Sequence, residues 1–264
     1  MIYSREDIRR KCLEKLSKDP EKFYACNEVN YNGETNDCDK KEFYTEVIAE
    51  FLTEPEHFEL IKNIGEHDRT KYQNSYNVKH NGKYPDKGKA SEEEFHKREK
   101  IIAIDLFNQS QKEGSIEHLG KILDYQTPLK GERKDPYGEI DLLSVNEKEK
   151  RVYILELKKN KADKKDDTSE TLLRCILEAY TYYKLVAKRK LLDNFGLSAY
   201  EVEDIVIAPL VFKEDKQRKE WDELMAGKRP KLRNFIDKLD VNVVPFFLES
   251  KGDNTYIVLD YSEI

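Results

Sequence analysis

Three side chains in the middle of the sequence could do chemistry together: Asp141, Glu156 and Lys158. They lie on two short apolar runs, Glu139–Val145 and Arg151–Leu157, separated by the polar stretch Asn146–Lys150, a pattern that predicts a β-hairpin. If Val145 faces Val152, counting back along both arms sets Asp141 opposite Glu156. Directly opposed side chains on antiparallel strands have Cβ atoms about 4.5–5.5 Å apart. Strand alternation then puts Lys158 on the same face as Glu156. Two facing carboxylates repel unless a cation lies between them. Oxygen ligands suit magnesium or manganese better than zinc. A neighbouring lysine can orient or deprotonate a metal-activated water. A one-residue slip would break this pairing, and the same register permits a plain ion pair between Glu139 and Lys158. Charged residues embedded in apolar strands nonetheless need compensation, whatever supplies it.

The elements that must position these groups follow from periodicity. Residues 4–18 read as a helix capped by Ser4, with Ile8, Cys12 and Leu16 four apart. A second helical stretch, 39–63, is interrupted near Pro55. No pattern runs from His67 to Ala90, where Arg69, Lys71, Lys79, Lys83, Lys87 and Lys89 interleave with Tyr72, Tyr76 and Tyr84. Such a mixture could grip phosphates and stack on bases, or simply form a solvated loop. A helix at 91–111 starts with Ser91 and Glu94 in a capping box. Strand-like runs follow at 121–127, 139–145 and 151–157. A helix at 168–190, with Asp167 and Glu170 in capping-box relation, and a strand at 205–212 come next. Helices at about 215–225 and 229–239 and strands near 241–248 and 254–260 complete the chain. A meander followed by a helical crossover predicts an α/β arrangement, a mixed sheet flanked by helices.

The runs YGEIDLL and YILELKK resemble the Asp…Glu-x-Lys signature of the PD-(D/E)XK nuclease superfamily, with its restriction-endonuclease-like fold. The order helix, three strands, helix, strand over 91–213 is similar to that family's core, which covers about half the chain. The resemblance implies that Asp141 and Glu156 bind Mg2+ or Mn2+ together with the Leu157 carbonyl, and that Lys158 positions the attacking water. It also implies a glutamate on the helix before the first core strand. Glu99 fits that place, with Glu46 on the earlier helix as the fallback. Where the family often carries a glutamine after Glu-x-Lys, this chain offers Arg174, Glu178 and Tyr182 at four-residue steps. Arg174 could contact a scissile phosphate with Glu178 orienting it, or the two could form an ordinary helix ion pair. Lys159, Lys161, Lys164 and Lys165 would be a phosphate-guiding loop or a solvated one.

Composition bounds the rest. The net charge of -6 means that any nucleic-acid binding must come from local basic patches. The four cysteines, Cys12, Cys26, Cys38 and Cys175, form no CxxC pair, which speaks against zinc or a disulfide framework. The charged N-terminus is no secretory signal, and Ile205–Phe212, the longest apolar run, is far short of a membrane span. These features predict a cytoplasmic protein with no membrane partner. The expected architecture is a helical N-terminal elaboration (1–90), a nuclease-like core (91–213) and C-terminal helices and strands packed on it (214–264). The expected function is metal-dependent hydrolysis of nucleic-acid phosphodiesters, DNA first, with a homodimer as an option that the sequence leaves open. The rival is a nuclease-fold module that binds nucleic acid or a protein without catalysis.

Overall fold

The computed structural model describes residues 2–37, 41–67, 75–130, 138–160 and 170–264. Six strands form one mixed sheet in chain order: β1 (Lys121–Pro128), β2 (Glu139–Asn146), β3 (Arg151–Lys158), β4 (Ile205–Phe212), β5 (Phe246–Gly252) and β6 (Thr255–Leu259). The first three form an antiparallel meander. β4 runs parallel to β3 and β5 parallel to β4, whereas β6 turns back on β5. Parallel neighbours need long crossovers. The first contains α6 (Leu172–Leu185) and α7 (Lys188–Asn194), the second α8 (Lys216–Met225) and α9 (Pro230–Lys238).

β3 is apolar on both faces, as a strand covered on both sides must be. Val152 and Ile154 join the core beneath α6, to which α1 (Arg5–Lys18), α2 (Tyr44–Thr53) and α9 also contribute. Tyr153, Leu155 and Leu157 join the opposite core, under α5 (Glu99–Glu113). The expected caps form at Ser4, whose hydroxyl accepts from Asp7 N–H, and at Ser91, whose capping box with Glu94 is complete. The stretch expected at 39–63 resolves into α2 and α3 (Pro55–Lys62), with Pro55 at the first helical position. Residues 214–264 contribute two strands to the sheet itself as well as α8 and α9.

Three boundaries differ from the sequence expectation. The helix expected at 91–111 is two, α4 (Glu92–His96) and α5, broken at Lys97–Arg98. The break lets the His96 ring reach Asp105, 3.4 Å away, whereas nine residues of continuous helix would hold them about 13 Å apart along the axis. α6 starts after Thr171, whose hydroxyl accepts from Arg174 N–H, and ends at Leu185. Asp167 lies outside the described residues. The strand expected at 241–248 begins at Phe246, immediately after Pro245, which has no N–H to give a ladder. Among the described residues no helix is long and apolar enough to cross a membrane.

Candidate active site

The hairpin register places the chemistry. Val145 pairs with Val152, and the β2–β3 ladder runs to Leu142↔Leu155. One step further, Asp141 lies beside Glu156, with their carboxyl groups in hydrogen-bonding contact. Here the ladder gives way to a side chain: Leu157 N–H donates to Asp141 Oδ2 at 2.9 Å. In an extended strand the N–H and C=O of one residue point the same way. The Leu157 carbonyl is therefore directed towards the β2 side as well.

Glu156 and Lys158 alternate with apolar neighbours and face α6. They are 2% and 5% exposed, so each charge must be met by a specific partner. Lys158 Nζ donates to Glu156 Oε1 at 2.6 Å and lies 2.9 Å from Glu178 Oε2 and 3.6 Å from Glu170 Oε2. Lys158 thus turns to these three acids and not to Glu139. The α6 stripe proposed from the sequence is present. Arg174 lies 3.5 Å from Glu170 and 3.6 Å from Glu178, and the Tyr182 hydroxyl donates to Glu178 Oε1 at 2.9 Å. Tyr182 is buried, and a side chain at Gly138 would collide with its hydroxyl, so Tyr182 supports Glu178 from within.

Glu99 arrives from the other side of the sheet, at the first turn of α5. Its Oε1 accepts from Lys159 N–H at 2.8 Å, and its charge interacts with Lys158 and Asp141. Lys159 itself points to the α5 face, its ammonium 4.5 Å from the centre of the Phe212 ring. It does not join Arg174, Glu178 and Tyr182. Glu46 is not at the site: both its oxygens accept backbone N–H groups at the start of α9, from Lys231 and Leu232. Lys161, Lys164, Lys165, Arg69, Lys71 and Tyr72 lie outside the described residues. In the rest of that basic and aromatic segment, Tyr76 is buried and its hydroxyl accepts from Ala187 N–H, and the Tyr84 hydroxyl is bound to Asp105.

Two participants were not foreseen. Gln126 on β1 lies next to Asp141 by register, between the pairs Tyr125↔Leu142 and Thr127↔Ile140. Its side-chain amide donates to Asp141 Oδ1 at 2.8 Å. Its φ of 47° is in the left-handed region, a strained conformation for glutamine that often marks a functional position. No sequence signal fixes this pairing, because the β1–β2 ladder shifts register between Ile122 and Asp124. Glu170, expected only as a capping residue, reaches Lys158 one turn before Arg174.

The site therefore gathers five carboxyls (Asp141, Glu156, Glu178, Glu99, Glu170) around two cations (Lys158, Arg174). Burial pushes Asp141 up to about 6, opposed mainly by Lys158. Burial, Asp141 and Glu178 together raise Glu156 far above the carboxylate range. Burial likewise carries Glu99 to about 7. Burial works to raise Glu178 too, but Lys158, Arg174 and the Tyr182 hydroxyl outweigh it and hold it low. Burial acts to lower Lys158, yet Glu156, Glu178 and Asp141 raise it well above its usual value, so it is an ammonium and not a base.

Four polar atoms of the site are buried without a hydrogen bond: Glu170 Oε2, Glu178 Oε2 and Arg174 Nε, each of which takes part in an ion pair, and Glu156 Oε2, whose sister oxygen carries the bond to Lys158. Glu156 Oε2 is buried, has no hydrogen-bond donor, and lies in the carboxyl pair with Asp141. An orphaned carboxylate oxygen beside a second carboxyl is what a divalent cation would satisfy, with Asp141, Glu156 and the Leu157 carbonyl as its donors. Tighter sets of three ligand side chains occur elsewhere among the described residues, at Glu54–Glu56–His57 and His118–Asp260–Glu263. In the first, Arg9 already grips Glu54 with hydrogen bonds of 2.6 and 2.8 Å. No family model matches the chain, and comparison with curated proteins and with solved structures finds no match either, so the geometry alone carries the functional argument.

Proposed function

We propose that the chain is a divalent-metal-dependent phosphodiesterase of the PD-(D/E)XK type, a nuclease, with DNA as the first substrate to test. The observation that carries this reading is the orphaned Glu156 Oε2, paired with Asp141 and placed two residues before a buried, protonated Lys158. The order α5, β1, β2, β3, α6, β4, with Glu-x-Lys ending β3 and β4 parallel to it, supports a restriction-endonuclease-like core.

Asp141, Glu156 and the Leu157 carbonyl would hold Mg2+ or Mn2+. When bound, such a cation acidifies water and offsets charge on the phosphoryl oxygens. The protein's own groups divide the remaining work. Gln126 and Leu157 N–H fix the two oxygens of Asp141. Glu178, itself held by Tyr182, keeps the Lys158 ammonium in the buried site, where it donates to the attacking water or to a phosphoryl oxygen. Glu99, near 7, can take up the proton that water loses. Arg174, at the outer end of the stripe, can pair with the scissile phosphate by exchanging Glu170 for it.

A second reading has its own observation. Lys158 already neutralises Glu156 through a 2.6 Å bond, so the pair is partly compensated without a metal, as in a retired site that only binds. Cleavage of plasmid and single-stranded DNA with Mg2+ or Mn2+ separates the two, using wild type, Asp141→Ala and Lys158→Ala. Activity lost in both variants supports the nuclease. A wild type inert on every substrate favours the binding module, and equal activity in all three proteins would mean that cleavage arises elsewhere.

A further inference from the structure

Lys158 and Lys159 are consecutive, so their Cα atoms are about 3.8 Å apart, but strand alternation sends their side chains to opposite faces of the sheet. Lys158 enters the carboxyl cluster under α6. Lys159 opens instead into a cavity of about 500 Å³ at the end of β4 and β5, lined by His96, Lys97, Phe212, Ser250, Asn254 and Tyr256 among others. That volume is typical of a ligand site. No carboxylate among the described residues lies within ion-pair distance of the Lys159 ammonium, which rests over the Phe212 ring. Asp215, Glu214 and Glu99 act on it only at longer range. Of the acids on the cavity wall, Glu92 is already bonded to Lys87, and Asp253 is in the β5–β6 turn. A half-buried ammonium with an aromatic ring beneath it and space in front has, among the described residues, no anion at contact distance.

We propose that this cavity is a phosphate subsite for the polynucleotide strand as it leaves the Asp141–Glu156 centre, with Lys159 as its cation. The proposal rests on the phosphodiesterase reading and adds a substrate class to it. A strand whose scissile phosphate sits at Lys158 must pass around the end of β3 to reach Lys159 on the opposite face. Duplex DNA, stiff over about 150 base pairs, resists such a bend. A single strand, or a frayed end, makes it at little cost. The subsite therefore selects single-stranded nucleic acid.

The test uses a short fluorescent single-stranded DNA and anisotropy in Mg2+, with Asp141→Asn as the background so that substrate is not consumed. Lys159→Gln and Lys159→Met are compared with Lys148→Gln, a control on the exposed β2–β3 turn. The Lys159 substitutions keep the backbone N–H that Glu99 accepts. Each cavity variant should weaken binding about three- to tenfold and flatten the slope of log affinity against log salt by about 0.7 between about 50 and 200 mM. If they bind like Lys148→Gln while the wild type still cleaves DNA, the subsite is overturned and the phosphodiesterase reading stands. Tighter binding of a blunt duplex than of the single strand overturns the selectivity. If the wild type neither binds nor cleaves, both readings fall.

Discussion

Removing the charge of Asp141 should stabilise the metal-free protein at alkaline pH while abolishing cleavage. Burial raises Asp141 from 3.8 to about 6, a shift of roughly two units, and ionising it in the fold therefore costs about 3 kcal/mol. For a carboxyl whose folded pKa is raised, that cost is absent below the unfolded value. It grows as pH rises from about 4 and is complete above about 6. Asp141→Asn removes it. Asparagine offers only one acceptor oxygen to the two donors Gln126 and Leu157 N–H, so one donor faces an NH2 group. That loss takes back about 1 kcal/mol. The net gain at pH 8 is then about 2 kcal/mol, or roughly 4 °C in melting temperature for a chain of this size. The assay is thermal unfolding of both proteins in EDTA from pH 5 to pH 8. The variant should unfold at or slightly below the wild-type temperature at pH 5 and above it at pH 8. Saturating Mg2+ should raise the wild type alone. A variant less stable than wild type at both ends of the range would refute the reasoning, because Asp141 would then be a satisfied structural acid.

Three further outcomes follow from the same geometry. Because Asp141 and Glu156 are both raised, Mg2+ or Mn2+ binding at about pH 6 should release on the order of one proton and tighten as pH rises; calorimetry in buffers of different ionisation heat measures both. Binding without proton release would place the metal elsewhere. Gly138→Ala drives a methyl group into the Tyr182 hydroxyl and should cost about 1–3 kcal/mol by chemical denaturation, with reduced cleavage in the folded fraction; an unchanged midpoint would mean that Tyr182 yields freely. Gln126→Gly relieves a left-handed backbone at φ 47° and should leave stability within about 1 kcal/mol of wild type, yet weaken Mg2+ about tenfold through the loss of its bond to Asp141. Unaltered metal affinity in that variant would make the Gln126 strain incidental.

The hairpin was legible because two local signals agree. Strand alternation gives each side chain a face, and the polar stretch at 146–150 sets the register, so Val145↔Val152 could be counted from the sequence alone. Asp141, Glu156 and Lys158 follow from that count. Ser4, the Ser91–Glu94 box and the interruption at Pro55 were equally local, each decided within one helical turn. Where an element was misplaced, a distant partner or a proline had intervened. His96 breaks from α5 to reach Asp105. The helix expected to run to 190 stops at Leu185, whose carbonyl accepts His67 N–H, while Ala187 N–H donates to the Tyr76 hydroxyl.

The sequence by itself determined the strand alternation, the hairpin and the opposed carboxyls, because these depend on neighbours within about twenty residues. Only the tertiary structure decided which groups surround them. Gln126 is held beside Asp141 by a third strand, Glu178 and Glu170 are brought to Lys158 by a helix beyond a crossover, and Glu99 reaches Lys159 from the opposite face. Glu46, on a helix of similar composition, was carried instead to the start of α9. The protonation of the site was decided there as well. A carboxyl in an isolated hairpin would titrate near its ordinary value, and only packing by α5 and α6 removes the water that would have held Asp141, Glu156 and Glu99 there.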